Sequence, residues 1–541
     1  MRNVMPNKSV FFILLFVFLG LNNLFCNCKV TKKNGFVCPQ NFFCKKKHLF
    51  VCLYNKIGFF LFYLTNKNFF AQMKRIFIAI VAMMFVAAGA SAAPKKGYKI
   101  TVQIKNAKDT VLYMGYYYGK YTPAMDTARI NKKGQFVFES KTKEVKPGVY
   151  FFSNPQGRYA EFIINIDKPT FTLKTDEANW ITNMQVTGSP ENKAFYDYQR
   201  INQHYYSMHD SITKHTPDKD LAKKRSLALR RELDTIQEGL IAAHPEYLFC
   251  RMLKATKEVQ VPVTDEKGNT LTNIQRADYY GEHYFDNMSL DCDAMVRTPS
   301  AVFYDRVERF FDGYLGKASP DVICEFADKM IDKSRPAKDV FQYLVNYLAE
   351  KYLRSNVMTH DAVYVHMIEK YYATGEAFWA SPSDIDAEVE RATKWKRLLV
   401  GETAPEFGVL YNDQWHHLSD IKNKYTLLIF WSPTCGHCAT IIPALHDFYT
   451  KNAQKYDIGT FAINTDIHEE DKWQQFIKDK NLYDWNNYNG GVANVDWKDL
   501  YDVISTPVVY LLDKNKKILA KKIDAKMLEE IFKIIEPDFK E

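Results

Sequence analysis

The stretch YTLLIFWSPTCGHCATIIPAL, Tyr425 to Leu445, decides how the rest of the chain is read. Leu427 to Trp431 is an apolar, β-type run dense enough to be a buried strand. Ser432, Pro433 and Thr434 break it, and Cys435-Gly436-His437-Cys438 follows. From Cys438 the apolar residues Ile441, Ile442, Leu445 and Phe448 recur at helical spacing. The order is strand, turn, two cysteines, helix. It places Cys435 at a helix N-terminus, where unpaired N–H groups and the macrodipole favour a thiolate. A spacing of two residues on a first helical turn lets the two sulfurs reach bonding distance. Only the N-terminal cysteine is exposed and activated, so Cys435 is the expected nucleophile towards a substrate sulfur and Cys438 the resolving thiol. A protonated His437 would further stabilise the Cys435 thiolate. CxxC also serves as half of a zinc site, but no second CxxC or Cys/His pair lies nearby, so neither a metal nor a cofactor is expected.

Outward from this stretch the C-terminal quarter alternates strand and helix. DIGTFAINTD reads as a strand and DKWQQFIKDK as a helix; TPVVYLLDKNKKILAKK reads as strand–turn–strand and DAKMLEEIFKII as a closing helix. That pattern predicts an α/β domain with a mixed sheet over 398–541. Residues 93–190 carry six or more short, alternating, aromatic-rich strands split by turns such as Lys146-Pro147-Gly148, which predicts an antiparallel β-sandwich. Residues 191–397 switch to three- and four-residue apolar spacing and predict an all-α middle domain. Its Tyr and Phe stripes fit a core better than a partner groove. His204, His209 and His215 miss the i, i+4 pairing of a metal site and read as solvated.

Residues 1–92 contain ten Lys, two Arg and no acid, so they carry more than the whole net charge of +9. The remainder is slightly acidic, which excludes nucleic acid as a partner. Residues 73–92 have the parts of a signal peptide: Lys74 and Arg75, an apolar run from Ile76 to Ala88, and Ala90-Ser91-Ala92 as cleavage site. The run is short for a membrane span, which needs about 20 residues. Residues 1–72 read as lying upstream of the true start at Met73; the other reading is an anchor built on Phe11 to Leu21, and membrane association is expected only if the leader is uncleaved. Cleavage after Ala92 removes Cys26, Cys28, Cys38, Cys44 and Cys52 and leaves Cys250, Cys292, Cys324, Cys435 and Cys438 in an oxidising periplasmic compartment. There a CxxC reads as redox chemistry; the other three are buried small hydrophobes or include one structural disulfide.

Two resemblances add to this. DTARINKKGQFVFE, YAEFIINIDKPTFTL and VTGSPENKAFYDYQ are similar to the β-domain of unknown function at the N-terminus of many bacterial envelope thioredoxin-like proteins. FWSPTCGHC, Pro443 five residues past the second cysteine, and Ser505-Thr506-Pro507-Val508-Val509-Tyr510 together resemble the thioredoxin superfamily, in particular envelope oxidoreductases related to cytochrome-maturation thioredoxins and AhpC/TSA-like redoxins. VGETAPEF and LLDKNKKI match the same subfamily's opening segment and final hairpin. The resemblance implies a thioredoxin-like fold over 400–541, a redox-active Cys435–Cys438 disulfide, a cis bond at Thr506–Pro507 beside it, and supporting roles for Trp431, Gly436, His437 and Thr506. A Gly-His dipeptide, as in protein disulfide isomerase, implies a potential between about −180 and −270 mV. The implied partners are cysteine-containing envelope proteins and a membrane redox partner. The second reading is an envelope binding or scaffold protein with an accessory redoxin. Two family acids are missing, replaced by Ile429 and Ile441, so the proton acceptor for Cys438 is unassigned and the pattern does not single out cytochrome c maturation. A peroxiredoxin motif counted from Pro433 meets His437 and Thr440 where Thr and Cys are needed, which disfavours peroxidase chemistry.

Overall fold

A computed structural model describes residues 97–165 and 169–537, with the backbone of 29–30 and 36–37. The chain divides into two units, 1–93 and 94–541. Of the first, two short strands are described, β1 (Lys29–Val30) and β2 (Phe36–Val37), paired antiparallel. The signal-peptide reading of 73–92, the alternative anchor and the leader cysteines fall outside the described residues. No helix among the described residues is long and apolar enough to cross a membrane.

The second unit opens with eight strands: β3 (Tyr98–Lys105), β4 (Val111–Tyr116), β5 (Ala124–Arg129), β6 (Gln135–Ser140), β7 (Gly148–Ser153), β8 (Tyr159–Ile164), β9 (Thr170–Asp176) and β10 (Gln185–Thr187). They form two four-stranded sheets, ordered β10-β9-β3-β6 and β5-β4-β7-β8. Alternation in β3 buries Tyr98, Ile100, Val102 and Ile104, and these share one core with Leu112, Phe152 and Phe162 of the other sheet. The expected antiparallel arrangement is corrected at one pair. β3 and β9 run parallel, with Ile100 opposite Phe171 and Val102 opposite Leu173. The chain travels through the whole second sheet between them, and so long a connection can return it in the same direction.

Helices follow: α1 (Pro190–His215), α2 (Lys219–Ala243), α3 (Leu248–Ala255), α4 (Asn273–His283), α5 (Tyr304–Arg309), α6 (Pro320–Ser334), α7 (Lys338–Leu353), α8 (Asp361–Met367) and α9 (Pro382–Lys396). Ser189 caps α1 by accepting from the Asn192 N–H, with Pro190 opening the helix. The buried Asn192 side chain then saturates an edge strand: its Oδ1 accepts from the Ile163 N–H and its Nδ2 donates to the Ile163 carbonyl, both at 2.7 Å. Sheets and helices share a continuous apolar core running from Tyr98 through Phe195, Leu344 and Tyr371 to Ala392.

The last part holds a hairpin, β11 (Gly408–Tyr411) with β12 (Gln414–His417), and a five-stranded sheet ordered β15-β14-β13-β16-β17. β13 (Tyr425–Trp431) pairs parallel with β14 (Ile458–Asn464), which pairs parallel with β15 (Asn487–Asn489). On its other side β13 pairs antiparallel with β16 (Val508–Asp513), which pairs with β17 (Ile518–Lys521). Every residue of β13 is buried. Leu427, Ile429 and Trp431 face one core with Cys438 and Ile442, while Leu428 and Phe430 face a second with Phe407 and Trp497. Burial on both faces is why the strand reads as an unbroken apolar run. The helices are α10 (Gly436–Tyr456), α11 (Glu470–Asp479), α12 (Trp497–Leu500) and α13 (Ala525–Ile535).

Candidate functional site

β13 ends at Trp431, and the turn through Ser432, Pro433 and Thr434 delivers Cys435 to the N-cap of α10, with φ −81° and ψ 122°. Polar side chains hold the turn. Ser432 Oγ accepts from the Thr434 N–H at 3.1 Å, and the Thr434 hydroxyl donates to Asp466 Oδ2 at 2.7 Å. Asp466 is fixed in turn by Asn464, whose Oδ1 accepts from the Asp466 N–H at 3.0 Å.

The two thiols are unbridged and differ in surroundings. Cys435 is half-buried at the helix start, and Cys438 is fully buried in the first turn. The Cys435 thiol donates to the Thr506 carbonyl oxygen across 3.1 Å. Hydrogen bonding from the Thr506 side chain, then from the backbone N–H groups of Cys438 and His437, holds the Cys435 thiol below the ordinary value of 9.0, against a smaller opposing effect of burial. Burial pushes the Cys438 thiol up to about 11, and the adjacent Cys435 charge adds to the rise. Ionisation is thus favoured at the first sulfur and disfavoured at its neighbour.

The structure brings most of the expected residues together. Thr506–Pro507 is a cis peptide, and both residues are half-buried, Thr506 against Cys435. His437 supports Cys435 through its backbone N–H while its side chain is exposed. Gly436 is exposed with open space where a Cβ would stand, so no crowding requires glycine there. Trp431 is fully buried against Phe476 and shares a core with Cys438. Pro443 lies inside α10, as the sequence places it. Ile429 is buried between Ala462 and Val509, and Ile441 packs against the same core as Cys438. His204, His209 and His215 are exposed. Cys250, Cys292 and Cys324 are free, with burial pushing Cys250 and Cys324 up to about 12.

Other residues at the site were not singled out from the sequence. A cavity of about 390 Å³ opens beside Cys435, and Thr434, Asp466, Lys498 and Ile504 help to line it. Ile504 is 88% exposed, unusual for so apolar a side chain. The signal for Asp466 was its place just past the end of β14, because sites in open α/β sheets gather at the carboxyl ends of parallel strands.

Residues 400–522 match the AhpC/TSA family, and residues 98–195 match a domain of unknown function, DUF4369. The C-terminal domain is a thioredoxin-superfamily redoxin. Its chemistry is that of a thiol–disulfide oxidoreductase. The thiol-disulfide oxidoreductase ResA of Bacillus thuringiensis is 29% identical over 150 residues, which cover 27% of this chain and 83% of that protein. Among solved structures, a thioredoxin-like protein from Bacteroides caccae is 21% identical, covering 51% of this chain and 99% of its own at a TM-score of 0.41. A domain of a possible thiol-disulfide isomerase from Cytophaga hutchinsonii is 36% identical, covering 26% and 95% at a TM-score of 0.24. The redoxin thus sits behind a strand-rich region and a helical region in one chain.

Proposed function

We propose that the protein is a periplasmic enzyme exchanging the Cys435/Cys438 dithiol with disulfides of cysteine-containing envelope proteins. The observation that carries this reading is the asymmetry of the two thiols, Cys435 half-buried at the N-cap of α10 and Cys438 fully buried in its first turn. In the reductive direction the Cys435 thiolate attacks one sulfur of a client disulfide. The client S–S bond breaks, a Cys435–client mixed disulfide forms, and the other client sulfur leaves as a thiolate. Cys438 then loses its proton and attacks Cys435 Sγ, which releases the second client sulfur and closes the Cys435–Cys438 disulfide. Two electrons pass to the client, and the same steps reversed oxidise a client dithiol. A membrane redox partner resets the pair. The periplasmic location rests on the leader reading of 73–92.

Insulin reduction by the full mature chain, beside Cys435→Ser, tests the activity: the wild type is expected to reduce insulin and the variant to fall to background. Equal turnover by the two would refute it. In cells Cys438→Ser is expected to accumulate mixed disulfides through Cys435, and identifying the trapped proteins names the clients. The scaffold reading predicts no reversible dithiol in a redox titration.

A further inference from the structure

Thr506 touches Cys435 from a segment that has its own external support. Asp502, with φ 49° in the left-handed region, ends the turn after α12, and Asp502 to Thr506 lead from there to the dithiol. Within that turn the Val503 N–H donates to the Lys498 carbonyl at 2.9 Å and the Ile504 N–H to the Asp502 carbonyl at 3.1 Å. The Asp502 side chain reaches out of the redoxin. Its Oδ2 accepts from the indole N–H of Trp395, in α9 of the helical region, at 2.8 Å.

Trp395 is itself fixed. Its ring lies 5.0 Å from that of Tyr364 on α8, with the Lys522 ammonium 5.5 Å over it. Residues beside it add charge pairing to α12: Lys394 Nζ is 2.5 Å from Asp499 Oδ1, and Arg397, just past α9, is 3.9 Å from Oδ2. Lys498 is exposed, over the Trp497 ring. The stretch from α12 to β16 therefore meets the end of α9 at two carboxylates, Asp499 and Asp502, and at its far end it enters β16, which is paired to β13.

We propose that α9 is a positioning element of the redox site. The Trp395 N–H holds Asp502, and through Asp502 the 502–506 segment, so that Thr506 stays against Cys435 Sγ. The helical region then acts on thiol reactivity without touching the sulfur. Removing the Trp395 bond lets the segment relax and loosens the Thr506 contact at Cys435 Sγ. This rests on Cys435 being the reactive thiol; it does not depend on which client the enzyme serves.

The test uses the full mature chain in a Cys438→Ser background and the pH profile of Cys435 alkylation by iodoacetamide, which needs no client. Trp395→Phe keeps the ring and removes the donor. It is expected to move the alkylation midpoint by about 0.3–0.5 pH unit, a change of about two- to threefold in rate near pH 7. Asp502→Asn keeps an acceptor oxygen in a residue that tolerates the left-handed region, and is expected to track the wild type. A Trp395→Phe profile superimposed on the wild type, or a shift in Asp502→Asn alone, overturns the proposal. If Trp395→Phe fails to fold, Lys394→Ala/Arg397→Ala frees Asp499 from the helix surface. A smaller shift of the midpoint supports the proposal, and none overturns it. Absence of insulin reduction by the chain with both cysteines intact, beside a normal Cys435 alkylation profile, would count against the client reading alone.

Discussion

At the scale of single residues, the redox site is a contrast between two identical side chains three positions apart. Cys435 has polar company: the Thr506 side chain and the N–H groups of His437 and Cys438 all favour its ionised form. Cys438 has apolar company, among Trp431 and Ile442, and burial holds it protonated up to about 11. The sign of each effect sets the pH dependence. Stabilising a thiolate moves the onset of reactivity down, and burying a thiol moves it up. In the reduced protein, iodoacetamide is expected to modify Cys435 with a midpoint below 9.0, while Cys438 stays unmodified over the same range by mass spectrometry. Comparable labelling of the two at neutral pH would contradict the assignment of nucleophile and resolving thiol. The proton acceptor for Cys438 is not supplied by Ile429 or Ile441, both apolar and packed into or against its own core.

At the scale of elements, β13 and α10 aim the motif and the segment before β16 completes it. β13 contributes by being buried on both faces, so that its C-terminal end, and with it Cys435, is held by two cores. Leu428 lies in the core that does not contain Cys438. Leu428→Ala is therefore expected to cost about 2–5 kcal/mol in urea unfolding, with the alkylation profile of Cys435 unchanged below the transition. A shifted profile would show that the far core also sets thiol reactivity. In α10 the Pro443 nitrogen has no hydrogen to donate to the Ala439 carbonyl, so the helix loses one internal bond just past the first turn.

At the scale of the molecule, the redoxin is tied to the helical region through buried charge. Lys521, 4% exposed, pairs with Asp361 of α8 and donates to the Leu398 carbonyl at 2.6 Å. Asp361→Asn leaves that ammonium buried without its counter-charge, and is expected to destabilise the chain by about 3–5 kcal/mol in urea unfolding. Asp361→Leu combined with Lys521→Met, which removes both charges, is expected to lie closer to wild type. If the single variant matches wild type, the pair is not what joins the two parts. The sheets join the same helices differently, through a shared apolar core and through Lys146, just before β7, which pairs with Asp339 of α7 at 2.7 Å.

Local pattern sufficed for much of this. An unbroken apolar run into Cys435-Gly436-His437-Cys438 followed by helical spacing specifies strand, turn and helix, because burial on two faces and a 3.6-residue period are written in neighbouring residues. The separate Ser505-Thr506-Pro507 segment was legible only through its resemblance to the cis-proline loop of the thioredoxin superfamily. Pairings between distant segments were not. The parallel β3–β9 pair, the Asn192 clamp on Ile163, the Asp466 support for Thr434 and the Trp395–Asp502 bond join residues from about 30 to more than 100 positions apart in sequence. No local periodicity encodes which of many polar side chains will meet. The sequence by itself determined the strand, turn and helix that carry Cys435 and Cys438, and only the tertiary structure decided what surrounds the two sulfurs, because a thiol's pKa is set by the groups that folding brings to it.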